Sequence, residues 1–192
     1  MVKDTRKIIQ ALTYLAGKED DKVMDNMKAY KLLWLADRYH LRQTGMTVTG
    51  DAYYAMPFGI VPSDAKSVLE NAKTKLRNPK GYKDRYIANK GVHQFMALAD
   101  ADQKMFSESD LEALDKVYEA FGSMDALELS DLSHQFPEWT FYRDLLADKE
   151  QKNSYRIDLD HFFEDGPENG FFSESREMLG LTQELYHQYN RL

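Results

Sequence analysis

The chain has 192 residues, 43% of them hydrophobic, with ten Phe, twelve Tyr and two Trp. That is enough apolar surface for a packed core without a cofactor or metal clip, and too much for a disordered chain. There is no cysteine, which excludes disulfides, thiolate nucleophiles, iron–sulfur clusters and cysteine zinc sites and fits a reducing, cytoplasmic setting. The formal net charge of −7 is uneven: residues 64–90 carry eight Lys/Arg against three acids, a net of +5 that leaves −12 elsewhere. This split disfavours general duplex binding but leaves one basic patch.

The length fits one domain over residues 1–192. Lys3, Arg6 and Lys7 precede Ile8 and Ile9, but Gln10, Thr13 and Tyr14 interrupt the apolar run and no small-residue cleavage site follows. Residues 5–16 therefore read as an amphipathic first helix, not a leader. Asp25 or Asn26 caps a second helix to about Arg42, closed by Gly45. Its core run Leu32-Leu33-Trp34-Leu35-Ala36 is far short of the roughly 20 apolar residues of a membrane span. A short strand is expected from Asp51 to Met56, with a turn at Pro57 and Gly59, and then a helix from Ser63 to about Leu76. Asn78-Pro79-Lys80-Gly81 reads as a loop. Residues 85–88 and 93–98 flank Asn89-Lys90-Gly91 as a hairpin, expected to join 52–56 in one antiparallel sheet. Ser109 with Glu112 and Asp125 with Glu128 have capping-box spacing, for helices to Phe121 and to about His134. Pro137 opens another helix to about Lys149, 164–169 reads as a flexible loop, and Ser173 or Ser175 starts a last helix. The fold class is α+β, mainly helical with a small antiparallel sheet.

No phosphate-binding loop, dinucleotide fingerprint, nucleophile elbow or zinc-protease motif is present. Two constellations leave room for a metal- or histidine-dependent hydrolase or nuclease. Asp131 and His134 stand three apart on one predicted helix, so the carboxylate could orient the imidazole as a base. A surface pair, or a buried histidine hydrogen-bonded to the backbone, is the preferred reading, since no nucleophile or ligand set accompanies them. Asp158, Asp160, His161, Glu164 and Asp165 cluster as carboxylates around an imidazole, without the glycine-spaced loop of a calcium site. The plainer reading is a solvated strand face, so no metal is assigned. Tyr82 and Tyr86 interleave the basic stretch 66–90, which leaves open a regulator that stacks single-stranded nucleic acid. A hairpin with one wet face is preferred there.

Two blocks go beyond generic pattern. One runs Lys28-Ala-Tyr-Lys31-Leu32-Leu33-Trp34-Leu35-Ala36-Asp37-Arg38-Tyr39-His40, then Gly45, Thr49-Gly50-Asp51 and Ala55-Met-Pro-Phe58-Gly59-Ile60-Val61-Pro62-Ser63. The other is Leu129-Ser130-Asp131-Leu132-Ser133-His134, followed by Trp139. In this order, over about residues 25–145, they resemble the Panacea, or SocA-like, antitoxin domain, although Ile60 stands where that family usually has proline. The tail after about Lys149 matches nothing identified. The resemblance implies a bacterial or phage antitoxin, found also among prophage proteins. It would bind and neutralise a protein toxin encoded by an adjacent gene, and some members resemble adaptors that pass the toxin to a protease. It implies no catalysis, no cofactor and no membrane partner.

The residues themselves suggest where such a protein would grip. Gly50 and Gly59 supply backbone angles that side chains obstruct, and Pro57 and Pro62 stiffen the turn around Phe58. Tyr53 and Tyr54 on a strand must face opposite ways, so one is expected to be exposed. Tyr53, Tyr54, Phe58, Val61 and Pro62 are therefore candidate anchors for a partner. Lys31, Leu32, Tyr39, Gly50, Gly59, His134 and Trp139 are motif residues expected to be structural, with His134 and Trp139 locking two helices together.

Overall fold

A computed structural model describes residues 4–71, 80–148, 150–167 and 170–190. Helix α1 (Arg6–Ala16) is followed by β1 (Val23–Asp25), α2 (Asn26–Thr44), β2 (Tyr53–Met56), β3 (Gly59–Pro62) and α3 (Ser63–Leu69). Then come α4 (Lys80–Tyr86), β4 (Ile87–Lys90), β5 (Gln94–Ala97), α5 (Glu108–Phe121) and α6 (Ala126–Ser133). The order closes with α7 (Pro137–Thr140), α8 (Arg143–Ala147), β6 (Tyr155–Arg156) and α9 (Arg176–Asn190). The protein is a mainly helical α+β fold, and the described residues form two small antiparallel three-stranded sheets. Among the described residues, no helix is long and apolar enough to cross a membrane.

Helix α2 is the axis. The Asp25 carboxylate accepts from the N–H groups of Met27 and Lys28 at 2.8 and 3.2 Å, which starts the helix, and Gly45 ends it. Leu32, Leu33, Trp34, Leu35, Ala36 and Leu41 are all fully buried, because α2 is covered on every side by α1, α3, α5, α6, α9 and β3. A helix sheathed this way must also bury its polar positions, and Lys31, Asp37, Arg38 and Arg42 are all inside. Each one needs a partner.

Arg38 and Arg42 find theirs in the C-terminal part of the chain. The Arg38 Nη1 donates to both Glu138 carboxylate oxygens at 2.9 and 3.1 Å, and its Nη2 donates to the Glu164 carbonyl at 2.5 Å. Arg42 donates to the carbonyls of Phe172, Phe162 and Glu164 and to the Asp165 carboxylate. Residue 164, expected in a flexible loop, is thus fixed by two arginines; residues 168 and 169 of that loop lie outside the described residues. Phe162, Phe163 and Phe172 join the same hydrophobic cluster as Ile8, Trp34 and Leu114.

Several expectations need correction. The strands do not form one sheet. β5 pairs with β4 and with β1 (Val23↔Met96), while β2 pairs with β3 and with β6 (Ala55↔Tyr155). Each sheet recruits a strand of three residues or fewer, β1 and β6, too short for alternation to register. Residues 80–86 form a helix where a loop and the start of a strand were expected, with the Tyr82 and Tyr86 rings tilted against each other one turn apart at 5.1 Å. The cap of α5 is Ser107, paired with Asp110. The overlapping Ser109 frame loses because the Ser109 hydroxyl meets the His40 Nε2 at 2.9 Å. The helix after Pro137 breaks at Phe141 and Tyr142, where the Tyr142 hydroxyl turns to the Arg156 carbonyl and steadies β6. Residues 72–76 of the third predicted helix, and 78–79 of the loop, lie outside the described residues.

Candidate partner-binding site

The β2–β3 hairpin turns over two residues, Pro57 and Phe58, between the paired Met56 and Gly59. Its tip is held by side chains from three helices. The Lys31 Nζ donates to the carbonyls of Phe58 and Ile60 at 2.7 and 2.8 Å. The Ser130 hydroxyl of α6 donates to the same Phe58 carbonyl at 2.8 Å, and the Trp139 indole of α7 donates to the Met56 carbonyl at 2.9 Å. The His134 ring packs on Trp139 with centroids 4.1 Å apart. Gly59, at φ +91°, allows the close approach: a Cβ there would lie 2.0 Å from Ser133 Oγ and 2.6 Å from Lys31 Nζ. Lys31, Gly59, His134 and Trp139, scattered over more than a hundred residues of sequence, meet around one turn.

The Thr49-Gly50-Asp51 motif holds the other end of the hairpin. Thr49 and the Tyr53 hydroxyl both donate to the buried Asp37 carboxylate, the hydroxyl at 2.7 Å. Asp51 accepts from the Asp64 and Ala65 N–H groups, both at 2.8 Å, and so caps α3. Leu32 is core, and the Tyr39 hydroxyl accepts from Lys116 at 2.9 Å.

The five candidate anchors separate. Tyr53 is 1% exposed and committed to Asp37, so it is no anchor. Val61 and Pro62 are buried and Tyr54 is half-buried, so the two tyrosines do face opposite ways. Phe58 is 68% exposed. It borders a groove of about 740 Å³ walled by both hairpin tips, with Met56, Phe58 and Val61 on one side and Gly91, Val92 and His93 on the other. Asn26, Met27 and Tyr30 of α2 and Ala126 and Leu127 of α6 complete the lining, with Lys66 and Glu70 at the rim. Val92 and Leu127 are 80% and 67% exposed, so three large apolar side chains converge at one opening. Val92, Leu127 and the α2 residues carry no local sequence signal; only the meeting of three distant segments makes them neighbours.

The other constellations come apart. The described residues hold no hydrogen bond between the Asp131 carboxylate and the His134 ring, and the His134 Nε2 is buried without a partner. Burial, and then the nearby Lys31 charge, push the His134 imidazole below its ordinary pKa. The acids near His161 disperse: Asp160 takes His187 at 2.7 Å, Glu164 takes His161 at 2.6 Å, Asp165 takes Arg42 at 3.0 Å, and Asp158 caps a short 3-10 turn, not a strand. No metal-sized group of His or acid side chains exists among the described residues. In the basic stretch, Lys66 pairs with Glu70, Lys83 is buried against the Val68 carbonyl, and Arg85 stacks on Tyr82. Residues 73, 75 and 77 lie outside the described residues.

Among the described residues Lys31 has no carboxylate partner, and burial lowers its ammonium to about 7. The neutral amine still has two N–H bonds for its two carbonyls, so the clamp survives deprotonation. Between pH 7 and the unfolded value near 10.5, the unfolded chain binds a proton that the folded chain declines. Stability should therefore rise with pH across that window, by up to about 1.4 kcal/mol per unit, and the penalty is complete below it. Urea melts at pH 7, 8 and 9 check this: the rise should be absent in Lys31→Met. Equal slopes in the two proteins would mean that Lys31 is charged throughout.

Fold and site together define a helical scaffold that presents one rigid turn beside an apolar groove. Residues 30–140 match the family model described as the antitoxin SocA-like, Panacea domain, more than half of the chain, and the chain belongs to that family. Membership implies an antitoxin role and, in general, a toxin as partner. No curated protein and no solved structure matches it.

Proposed function

We propose that this antitoxin-family protein neutralises a protein toxin, the product of an adjacent gene, by binding it one to one through the face carrying the Phe58 turn, without catalysis. One observation carries the reading: an aromatic side chain is 68% exposed on a turn whose carbonyls are fixed from α2, α6 and α7. An exposed ring normally loses freedom on binding, but a turn held from behind has already lost it. Its apolar area then contributes to affinity with little ordering cost. Simple occlusion and delivery to a protease both begin with this complex.

The test is expression of the neighbouring gene alone and with this protein, followed by purification of the complex. Toxicity relieved together with a stable complex supports the reading; relief without a complex, or no toxicity, removes it. Phe58→Ser should weaken the complex about 30-fold or more, as for a hot-spot aromatic. Its melting point should barely move, because the side chain leaves no cavity. Unchanged affinity would place the interface elsewhere.

A further inference from the structure

A second cluster lies away from the Phe58 turn, where the C-terminal end of α2 meets the start of α5. His40 is 4% exposed, and both of its ring nitrogens are engaged. Nδ1 stands 2.7 Å from the Met46 carbonyl oxygen. A carbonyl only accepts, so Nδ1 carries the ring hydrogen, and in the neutral ring Nε2 is a bare acceptor. The Ser109 hydroxyl donates to that nitrogen at 2.9 Å. Hydroxyl, imidazole and ring-fixing acceptor thus stand in the order that activates a serine: nucleophile, base, orienting group. Asp110, held by the Lys7 ammonium at 2.8 Å, places a carboxylate oxygen 3.8 Å from the same Nε2. That charge stabilises the imidazolium formed when the serine proton moves.

The placement suits attack from solvent. Ser109 is only half-buried, while the base behind it is shielded from water. Ser109 is the second residue of α5, and the capping box takes the N–H groups of Ser107 and Asp110. The N–H groups of Glu108 and Ser109 have no acceptor within the helix. They lie at the positive end of its dipole, which favours a carbonyl that gains negative charge under attack. We propose that Ser109 is a nucleophile, with His40 as its general base, that takes an acyl group from small activated esters and thioesters. The bond from Ser109 Oγ to the acyl carbon forms, and the bond to the leaving group breaks with its electron pair. The serine proton passes to His40 Nε2 and from there to the leaving group or water. The donor must be activated, because two N–H groups at a solvent-facing turn stabilise less charge than a site closed to water. Ser109, His40, Met46 and Asp110 are not among the residues that wall the Phe58 groove, so the inference is independent of the toxin reading.

The test exposes the whole chain to p-nitrophenyl acetate near neutral pH and maps the acetylated residues over time by peptide mass spectrometry. Ser175 is the internal control, an exposed serine whose hydroxyl accepts from the Met178 N–H at the start of α9. Ser109 should gain the acetyl group about a hundredfold faster than Ser175, the scale of general-base assistance. His40→Gln should remove that advantage, and Ser109→Ala should remove the matching early release of nitrophenolate. A thermal melt shows whether His40→Gln remains folded; if it does not, the two serines of the natural protein still decide the matter. Equal rates at Ser109 and Ser175, acetyl groups confined to lysines, or an unchanged Ser109 rate in folded His40→Gln would overturn the inference and leave the hydrogen bond a purely structural one. No toxin enters this experiment, so its outcome and that of the growth rescue are read separately.

Discussion

Glu138→Ala should cost about 3–5 kcal/mol of stability, the range for stranding one member of a buried ion pair. Glu138 and Arg38 side chains are both fully buried, and the carboxylate also accepts from the Trp34 indole at 2.9 Å. Removing it orphans a charge and an N–H at once. Burial raises the Glu138 carboxyl above its ordinary range while Arg38 opposes the rise, so the attraction offsets a desolvation cost instead of adding to a free pair. The double variant Arg38→Met/Glu138→Leu should accordingly be more stable than Glu138→Ala, since an apolar pair leaves no charge unpaired. It will still fall short of the natural protein, because the Glu164 carbonyl loses one of its two donors and the Trp34 N–H its acceptor. Urea midpoints order the three proteins; a loss under about 1 kcal/mol in Glu138→Ala would mean that water reaches Arg38.

Gly59→Ala should be nearly as severe, and Gly50→Ala is its control. Both glycines have positive φ, +91° and +65°, so both substitutions strain the backbone. At Gly50 nothing lies within 4 Å of the new Cβ, and the cost should stop at about 1–2 kcal/mol. At Gly59 the Cβ would overlap Ser133 Oγ and displace the Lys31 ammonium from the Phe58 and Ile60 carbonyls. Overpacking and lost hydrogen bonds bring the total to about 3–5 kcal/mol. Ser133→Ala in the Gly59→Ala background should recover part of the loss, the part due to the hydroxyl. Equal losses at the two glycines would show that the turn yields easily and that Phe58 is not rigidly held.

What could be read in advance was what short-range chemistry decides. Asp25, Gly45 and the Asp125–Glu128 capping box act within one turn of helix, and each stands where the spacing placed it. The β2–β3 turn was legible from Pro57 and Gly59 for the same reason. β1 and β6 were not, because strands this short are defined by their partners and carry no pattern of their own. Tyr53 looked available because its environment is set by Asp37, sixteen residues earlier on α2, and no alternation rule reaches across that gap. The polar positions 31, 37, 38 and 42 are among the most committed residues of α2, and nothing in the local sequence names their partners, since the C-terminal part of the chain folds over Arg38 and Arg42. The groove was the least legible feature, because Asn26, Phe58, Val92 and Leu127 become neighbours only once both sheets and α6 are in place.

The paired arginines also separate ancestry from architecture. The family match ends at residue 140, yet the groups that satisfy Arg42 come from residues 162–172. β6 zips onto the hairpin strand next to the Phe58 turn, and Thr182 of α9 donates to the Arg42 carbonyl at 3.0 Å. A piece of the chain cut at the edge of resemblance would keep every motif residue and still expose the central helix along the side its arginines occupy. The unmatched tail thus carries one structural obligation here, to supply acceptors for guanidinium groups that the matched part buries.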